Sequence, residues 1–329
     1  MPQVNNFPGG FAHGVTIRGM PLAVTHPGKV FWVSNSGVLS DRQIGSSNGN
    51  QGTFDAPFST ITGALSKVVA DRGDIIMVKP GHAETISAAG GIVLNKAGVA
   101  LVGLGKGAKR PTITWDTANT ATMTVTANDV TVHNFLFKAN FLNITAAIVI
   151  ANAQVATDLT IDNCEFRDNS VILNFVRCIT VGTTANIADG LTVSNNKYHA
   201  AACTTEPALR SFIALAGHTD RLTVVNNFVN YPKLLADTPW LLEGGASNMT
   251  STLIEGNRGF RPNTSVTGGS MIGSSSTACS GLVANNYDAH LQAAAGIMIA
   301  TGTKFGFFNN YSMVTGAADK SALINPVAV

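Results

Sequence analysis

Apolar residues in this chain come in short alternating runs that recur. LTIDNC (Leu159–Cys164), LTVSNN (Leu191–Asn196), LTVVNN (Leu222–Asn227), GLVANN (Gly281–Asn286) and FGFFNN (Phe305–Asn310) are the clear copies. VALVGL (Val99–Leu104), VTVHNF (Val130–Phe135) and TLIEGN (Thr252–Asn257) are degenerate ones. Across the copies, positions one and three are mainly apolar and position two is Thr in four of the eight, the period of a strand with one buried face. The fifth position falls at Gly103, Asn134, Asn163, Asn195, Asn226, Gly256, Asn285 and Asn309, in steps of 31, 29, 32, 31, 30, 29 and 24 residues. A period near 30 holding only short strands predicts a solenoid with one coil per repeat.

Stacking the copies turns spacing into columns. The third position reads Leu101, Val132, Ile161, Val193, Val224, Ile254, Val283 and Phe307, an inward row. The second carries Thr131, Thr160, Thr192 and Thr223, a β-branched ladder on the outer surface. At the fifth position Asn134, Asn163, Asn195, Asn226, Asn285 and Asn309 form a predicted structural Asn ladder, because Asn tolerates left-handed φ and its amide can bond to its counterparts one coil away. The sixth position is also Asn in five copies. The aromatic residues that follow (Phe166, Tyr198, Phe228, Tyr287, Tyr311) are expected to pack the next strand, a carbohydrate platform being the alternative. A second apolar strand precedes each copy, from Met123–Val125 through Ile179–Val181, Phe212–Leu215 and Trp240–Leu242 to Ile297–Ile299. Each coil thus holds at least two strands.

Ahead of the repeats, Phe58, Ile61, Leu65, Val68 and Val69 fall at helical spacing, with Ser59 or Thr60 as N-cap and Gly73 as the stop. A helix over about 58–72 followed by a strand at Ile75–Val78 is expected to plug the open end of the solenoid. Residues 1–50 carry no repeat and are rich in Gly, Pro and Asn, yet hold Phe7, Phe11, Val15, Ile17, Leu22, Phe31 and Trp32. These aromatic and aliphatic anchors mark an extended arm for attachment, and residues 51–329 the capped solenoid.

Charged residues make up 12% of the chain, about half the usual share, and mean hydropathy is +0.20. No run reaches the roughly 18 apolar residues a membrane helix needs. The low surface charge suggests faces covered by partner subunits. Net charge is +2 with one basic cluster, Lys106, Lys109 and Arg110, so no nucleic-acid footprint is expected. The N-terminal residues lack a signal-peptide pattern, and Cys164, Cys178, Cys203 and Cys279 form no C-x-x-C pair, as expected of synthesis in a reducing cytoplasm.

A glycosidase needs two carboxylates about 5–9.5 Å apart. In the fourth motif column Asp162 and Glu255 are separated by three coils, about 14 Å at ~4.8 Å per coil, which is too far. The densest acidic group, Asp158, Asp162, Glu165 and Asp168, has His133, Ser194 and Lys197 as stacked neighbours and no second acidic layer, so it reads as a solvated turn. The seven histidines show no metal-ligand spacing. Neither a metal, a cofactor nor a catalytic constellation is expected.

GTFDAPFSTITGALSKVVADRGDIIMVKPGHAETI, with Gly73, Asp74, Ile76, Val78, Pro80 and Gly81 in a G-D-x-I-x-V-x-P-G strand, resembles the opening segment of pectate-lyase-like right-handed parallel β-helices. HPGKVFWVSNS (His26–Ser36), PGHAETI (Pro80–Ile86) and VALVGLGKGAKRPTI (Val99–Ile113) resemble β-helix proteins of tailed-phage virions. The resemblance implies an all-β, right-handed parallel β-helix and a non-enzymatic virion role, as a capsid decoration or cement subunit. Such a subunit would be a homotrimer bound to the major capsid protein or another virion protein. The alternative is a tailspike-like protein that binds or cleaves host surface glycan, as a lyase or glycoside hydrolase; the calcium-binding Asp array and catalytic Arg of enzymatic members have no counterpart in the sequence.

Overall fold

The computed structural model describes residues 16–17, 20–21, 28–35, 44–201, 211–230, 239–261, 271–290, 304–314 and 321–323. These form a right-handed parallel β-helix. Among the described residues, ten strands from Val30–Val33 to Lys304–Phe308 make sheet I, and ten from Ala83–Ile86 to Ser321–Leu323 make sheet II. Seven from Ile92–Leu94 to Ile272–Ser274 make sheet III. A typical coil runs Thr131–His133, Leu136–Ala139, Ile148–Ile150 and then steps up to Thr160–Asp162. Seven coils, from Ile75–Val78 to Thr252–Glu255, thus have three strands among the described residues, where the sequence indicates at least two. The strands of sheet II were obscured because their aromatic residues begin immediately after the Asn pair.

Register follows the columns. Thr131, Thr160, Thr192 and Thr223 pair in line on the outer face of sheet I, while Val132, Ile161, Val193 and Val224 are fully buried. Left-handed residues precede six tail strands, at Gly98, Asp129, Asp158, Gly190, Arg221 and Ser251, and follow seven, at the fifth-position residues Asn134 to Asn309, all at positive φ. Gly256 takes the same conformation (φ 66°) where Asn is missing from the column. These corners let three-residue strands turn without breaking the stack.

The hydrogen-bonded ladder, however, is one position further on. Asn196, Asn227, Asn257, Asn286 and Asn310 are 0–1% exposed. Each of the first four donates from its backbone N–H and from Nδ2 to the Oδ1 of the next, at 2.9–3.1 Å. Nδ2 also donates to a strand carbonyl, as from Asn227 to Val193 O at 2.9 Å. The predicted fifth-position ladder is fragmentary: Asn163 donates to Asn134 at 3.4 Å and Asn309 to Asn285 at 2.8 Å. Asn195 and Asn285 turn instead to the carboxylates of Asp162 and Glu255. Position five supplies the bend and position six points inward, where an amide must be satisfied by its own kind.

The core is a column of stacked side chains. Trp115, Phe137, Phe166, Phe175 and Tyr198 are fully buried, with Trp115 edge-on to Phe137 and Phe175 at 5.6 and 5.4 Å between ring centroids. Each such ring contributes on the order of 1.5–3 kcal/mol by leaving water. Gly259 opposes Trp240, whose ring occupies the space a Cβ would need.

At the N-terminal end a helix, Ile61–Leu65, is capped by Thr60, whose Oγ1 accepts from Gly63 N at 3.0 Å, and buries Ile61, Ala64 and Leu65 over the first coil. It is shorter than the predicted 58–72. Beyond Leu65 the bonds tighten to the three-residue turns Lys67 N to Ala64 O and Val68 N to Leu65 O, and Val69 N–H is taken by Asp74 Oδ2 at 2.9 Å. The boundary at residue 50 also shifts. Val30–Val33 is the first strand of sheet I, paired in parallel with Ile75–Val78 and burying Phe31 and Val33. Phe31 and Trp32 therefore belong to the first coil and not to a separate arm; Trp32 packs edge-on to Phe54 at 4.9 Å. Ile17 lies in a two-residue strand paired with Met20–Pro21, and Phe7, Phe11, Val15 and Leu22 lie outside the described residues.

Candidate functional site

Chemistry-bearing side chains gather in two places on the outside of the helix. On sheet III, Arg177 stands beside Ser211, and Glu243 comes from the next coil beside Ala214. The Arg177 guanidinium donates from Nε and Nη2 to Glu243 Oε2 at 3.2 and 3.0 Å, and Ser211 Oγ donates to the same oxygen at 3.1 Å. Beside them Ala214, Ala216, Gly217 and Gly244 leave a groove of about 410 Å³. His218 lines it; its Nδ1 accepts from Asn248 N at 2.7 Å, which places the proton of the neutral ring on Nε2. Glu243 is the one carboxylate among the described residues lining the groove, and its engagement with Arg177 leaves no acid and base pair of the kind glycoside hydrolysis needs. Sequence reading missed this group, since Arg177 and Glu243 are 66 residues apart. The signal was available: columns laid on the second strand, as on the tail, align Arg177 with Ser211.

The second gathering follows sheet I across three coils. His133 Nδ1 is 2.8 Å from Asp162 Oδ2, and Ser194 Oγ and Asn195 Nδ2 each donate to Asp162 Oδ1 at 2.7 Å. The three residue types of a hydrolase triad meet here in an order that cannot activate the serine. A triad needs His between Ser and Asp, whereas here the carboxylate is central and Ser194 has no base. Partial burial works against ionisation of Asp162, but the bonds from Ser194, Asn195 and His133 outweigh it and hold its pKa below the usual carboxylate range. Asp162 is a brace between coils.

Of the rest of the acidic group only Asp158 stands in a solvated turn, as expected. Glu165 meets Arg110 at 3.4 Å and pairs with Arg167. Asp158 pairs with Arg221 at 3.2 Å. Asp168 is buried, accepting from Phe175 N at 3.0 Å and from Tyr198 Oη at 2.9 Å. Removing that hydroxyl leaves a buried carboxylate short of a donor. Tyr198→Phe is expected to cost about 1.5–3 kcal/mol in urea unfolding at pH 7, more than a neutral hydrogen bond would.

Cys164, Cys178 and Cys279 are buried, and burial pushes the Cys164 thiol up to about 12, so Cys164 is an inert packing group. Cys203 lies outside the described residues. Among the described residues no three His, Cys, Asp or Glu side chains form a metal-ligating group. The aromatic set that follows the Asn pair divides between two faces: Phe166 and Tyr198 point into the core, while Phe228, Tyr287 and Tyr311 share an outward column with Lys197 and Arg258.

The three stacked sheets define a parallel β-helix. Residues 44–224, more than half of the 329, match the model of the family described as "Protein of unknown function (DUF1565)", and the chain belongs to that family. No curated protein matches the sequence. Among solved structures it is similar to the pectin methylesterase from Aspergillus niger, at 14% identity and a TM-score of 0.44 over 89% of this chain and 94% of that one. It is similar to pectate lyase Pel9A at 14% identity and a TM-score of 0.35, over 88% and 78%. It is also similar to ORF18 of Geobacillus virus E2 at 12% identity and a TM-score of 0.32, over 77% and 56%.

Proposed function

We propose that this chain is a non-enzymatic structural subunit of a tailed-phage particle, of the capsid decoration or cement type. It is made in the host cytoplasm and acts as a homotrimer seated on the major capsid protein or another virion protein. The observation that supports this reading is the use made of the outer carboxylates. Asp162, Glu243, Glu255 and Asp158 each bond to side chains one or more coils away, across 29 to 66 residues of sequence. Acids used this way lace the coils into a rod, and such a rod suits a subunit whose task is to stiffen a shell.

Attachment falls to the segment before the first coil. Deleting residues 1–27 leaves Val30–Val33 in sheet I, whereas deletion to residue 50 would remove that strand. The test is to image labelled chain on particles assembled from the genome that encodes it. Label at regular positions on the shell, lost on deleting residues 1–27 while the β-sheet circular dichroism remains, is the expected result. Chain found only free in the lysate would overturn the particle role. Reducing-end release from host surface glycans would overturn the non-enzymatic one.

A further inference from the structure

Sheet II carries a depression that the scaffold does not explain. Lys197, Phe228 and Arg258 stand in register on three successive coils, and the hollow of about 430 Å³ beside them is also lined by His199, Asn226 and Gly256. Lys197 and Arg258 are exposed at its two rims, about 10 Å apart at ~4.8 Å per coil. The half-buried ring of Phe228 lies between them, with the His199 ring packed at 6.2 Å.

Two features point to a ligand. The first is charge: Lys197 and Arg258 have no carboxylate partner among the described residues, and the nearby Glu165 is already held by Arg110 and Arg167. Arg258 instead lies 5.8 Å from the exposed Tyr287 ring, which stacks on Tyr311 at 5.3 Å and extends the wall. The second is Asn226. Asn195 and Asn285 in the same column donate to the carboxylates of Asp162 and Glu255 in the preceding coil, but the matching place below Asn226 holds Ser194, and the Asn226 amide, exposed, has no hydrogen-bond partner among the described residues. The Asn226 Oδ1 takes the space a Cβ at 256 would need, and both residues line the hollow.

We propose that this hollow binds an anionic sugar unit, a uronate or sulfated sugar within an acidic polysaccharide. Lys197 and Arg258 meet the anion, the Phe228 ring meets the apolar C–H face of the sugar, and the Asn226 amide donates to and accepts from hydroxyls. Single-stranded nucleic acid would be the other polyanion that stacks on aromatic rings, but it calls for a basic track along each phosphate, and two rim cations with one ring do not provide it. The inference is independent of the particle reading: a chain absent from particles can still bind glycan through this face.

The test is titration calorimetry on the full chain with polygalacturonate, dextran sulfate, neutral dextran and a single-stranded oligonucleotide. Binding to at least one of the two acidic glycans, weakening with salt and absent for neutral dextran, is expected. The two acidic arms distinguish carboxylate from sulfate. Arg258→Glu and Lys197→Glu should each weaken binding about tenfold or more. Gly256→Asn is the sharper variant, because Asn accepts the φ of 66° there, its Cβ displaces the Asn226 amide, and its side chain fills the hollow without altering charge. It should weaken binding about tenfold with an unchanged or higher unfolding midpoint. Binding unaffected by all three variants, no binding to either acidic glycan, or equal affinity for the oligonucleotide would overturn the proposal.

Discussion

Asn227→Ala is expected to lower stability by about 3–5 kcal/mol, while Asn226→Ala, one residue earlier, lowers it by about 1–2 kcal/mol. Asn227 is 1% exposed and sits mid-ladder. Its Oδ1 accepts from Asn196 N and Nδ2 at 3.0 and 3.1 Å, and its Nδ2 donates to Val193 O and Asn257 Oδ1 at 2.9 Å each. Alanine leaves the Asn196 backbone N–H and the Val193 carbonyl without these partners in a place water does not reach. Each buried group left unsatisfied costs about 1–3 kcal/mol. Asn257 Oδ1 keeps the bond from the residue-227 backbone N–H, which limits the total.

Asn226, at φ 56° and exposed, makes no such bonds. Its variant loses only the ease with which Asn adopts the left-handed corner, and Asn226→Gly should therefore be nearly neutral. Urea unfolding gives the sizes, and amide exchange at Asn196 gives the local reading, since the N–H that loses its acceptor belongs to that residue. Equal costs at 226 and 227, or unchanged protection at Asn196, would place the ladder elsewhere.

That contrast marks what was legible in the sequence. Period and alternation placed the strands of sheet I because an inward row tolerates only apolar residues: Leu101 to Val283 could be aligned by subtraction. The same subtraction could not say which Asn of each pair faces inward, since both recur in step. It favoured the fifth position, which has more copies, whereas burial singles out the sixth, where Phe135 and Cys164 replace Asn in earlier coils. The first coil was hidden for another reason: Val30 pairs with Ile75 across an insertion that contains the cap, so no 30-residue step leads to it. The groove on sheet III and the hollow on sheet II depend on outward residues, which nothing constrains to repeat. Phe228 follows its Asn pair directly and falls in line with Lys197 and Glu165, whereas Phe166 stands one position later in line with Tyr198, so period-two alternation in sheet II turns one outward and the other into the core.

Asp74→Ala should release the N-terminal cap, at a cost of about 2–4 kcal/mol, because it removes a buried carboxylate and with it the acceptor of the Lys29 and Val69 backbone N–H groups. The Asp74 carboxylate is 1% exposed and bidentate with Arg72, at 2.7 Å to Nε and 2.6 Å to Nη2. It also accepts from Lys29 N at 2.7 Å and Val69 N at 2.9 Å. It thus ties the first strand of sheet I, the turn after the cap helix and the second strand to one group, which is the physical content of the Gly73–Asp74 motif. Burial opposes its ionisation, but the Arg72 hydrogen bond and the two backbone donors prevail and hold its pKa below the ordinary carboxylate value. A carboxyl whose folded pKa is depressed adds stability that is full above its unfolded pKa of about 3.9 and is lost as pH falls through the folded value. The cap should therefore loosen in acid before the ladder coils do, and the Asp74→Ala protein should have lost that part of its acid dependence. Amide exchange at Val30–Val33, compared with Thr252–Glu255 at pH 7 and below pH 4, separates the two ends of the rod. Equal exchange changes at both ends, or an acid profile identical in the variant, would mean that Asp74 does not hold the cap in place.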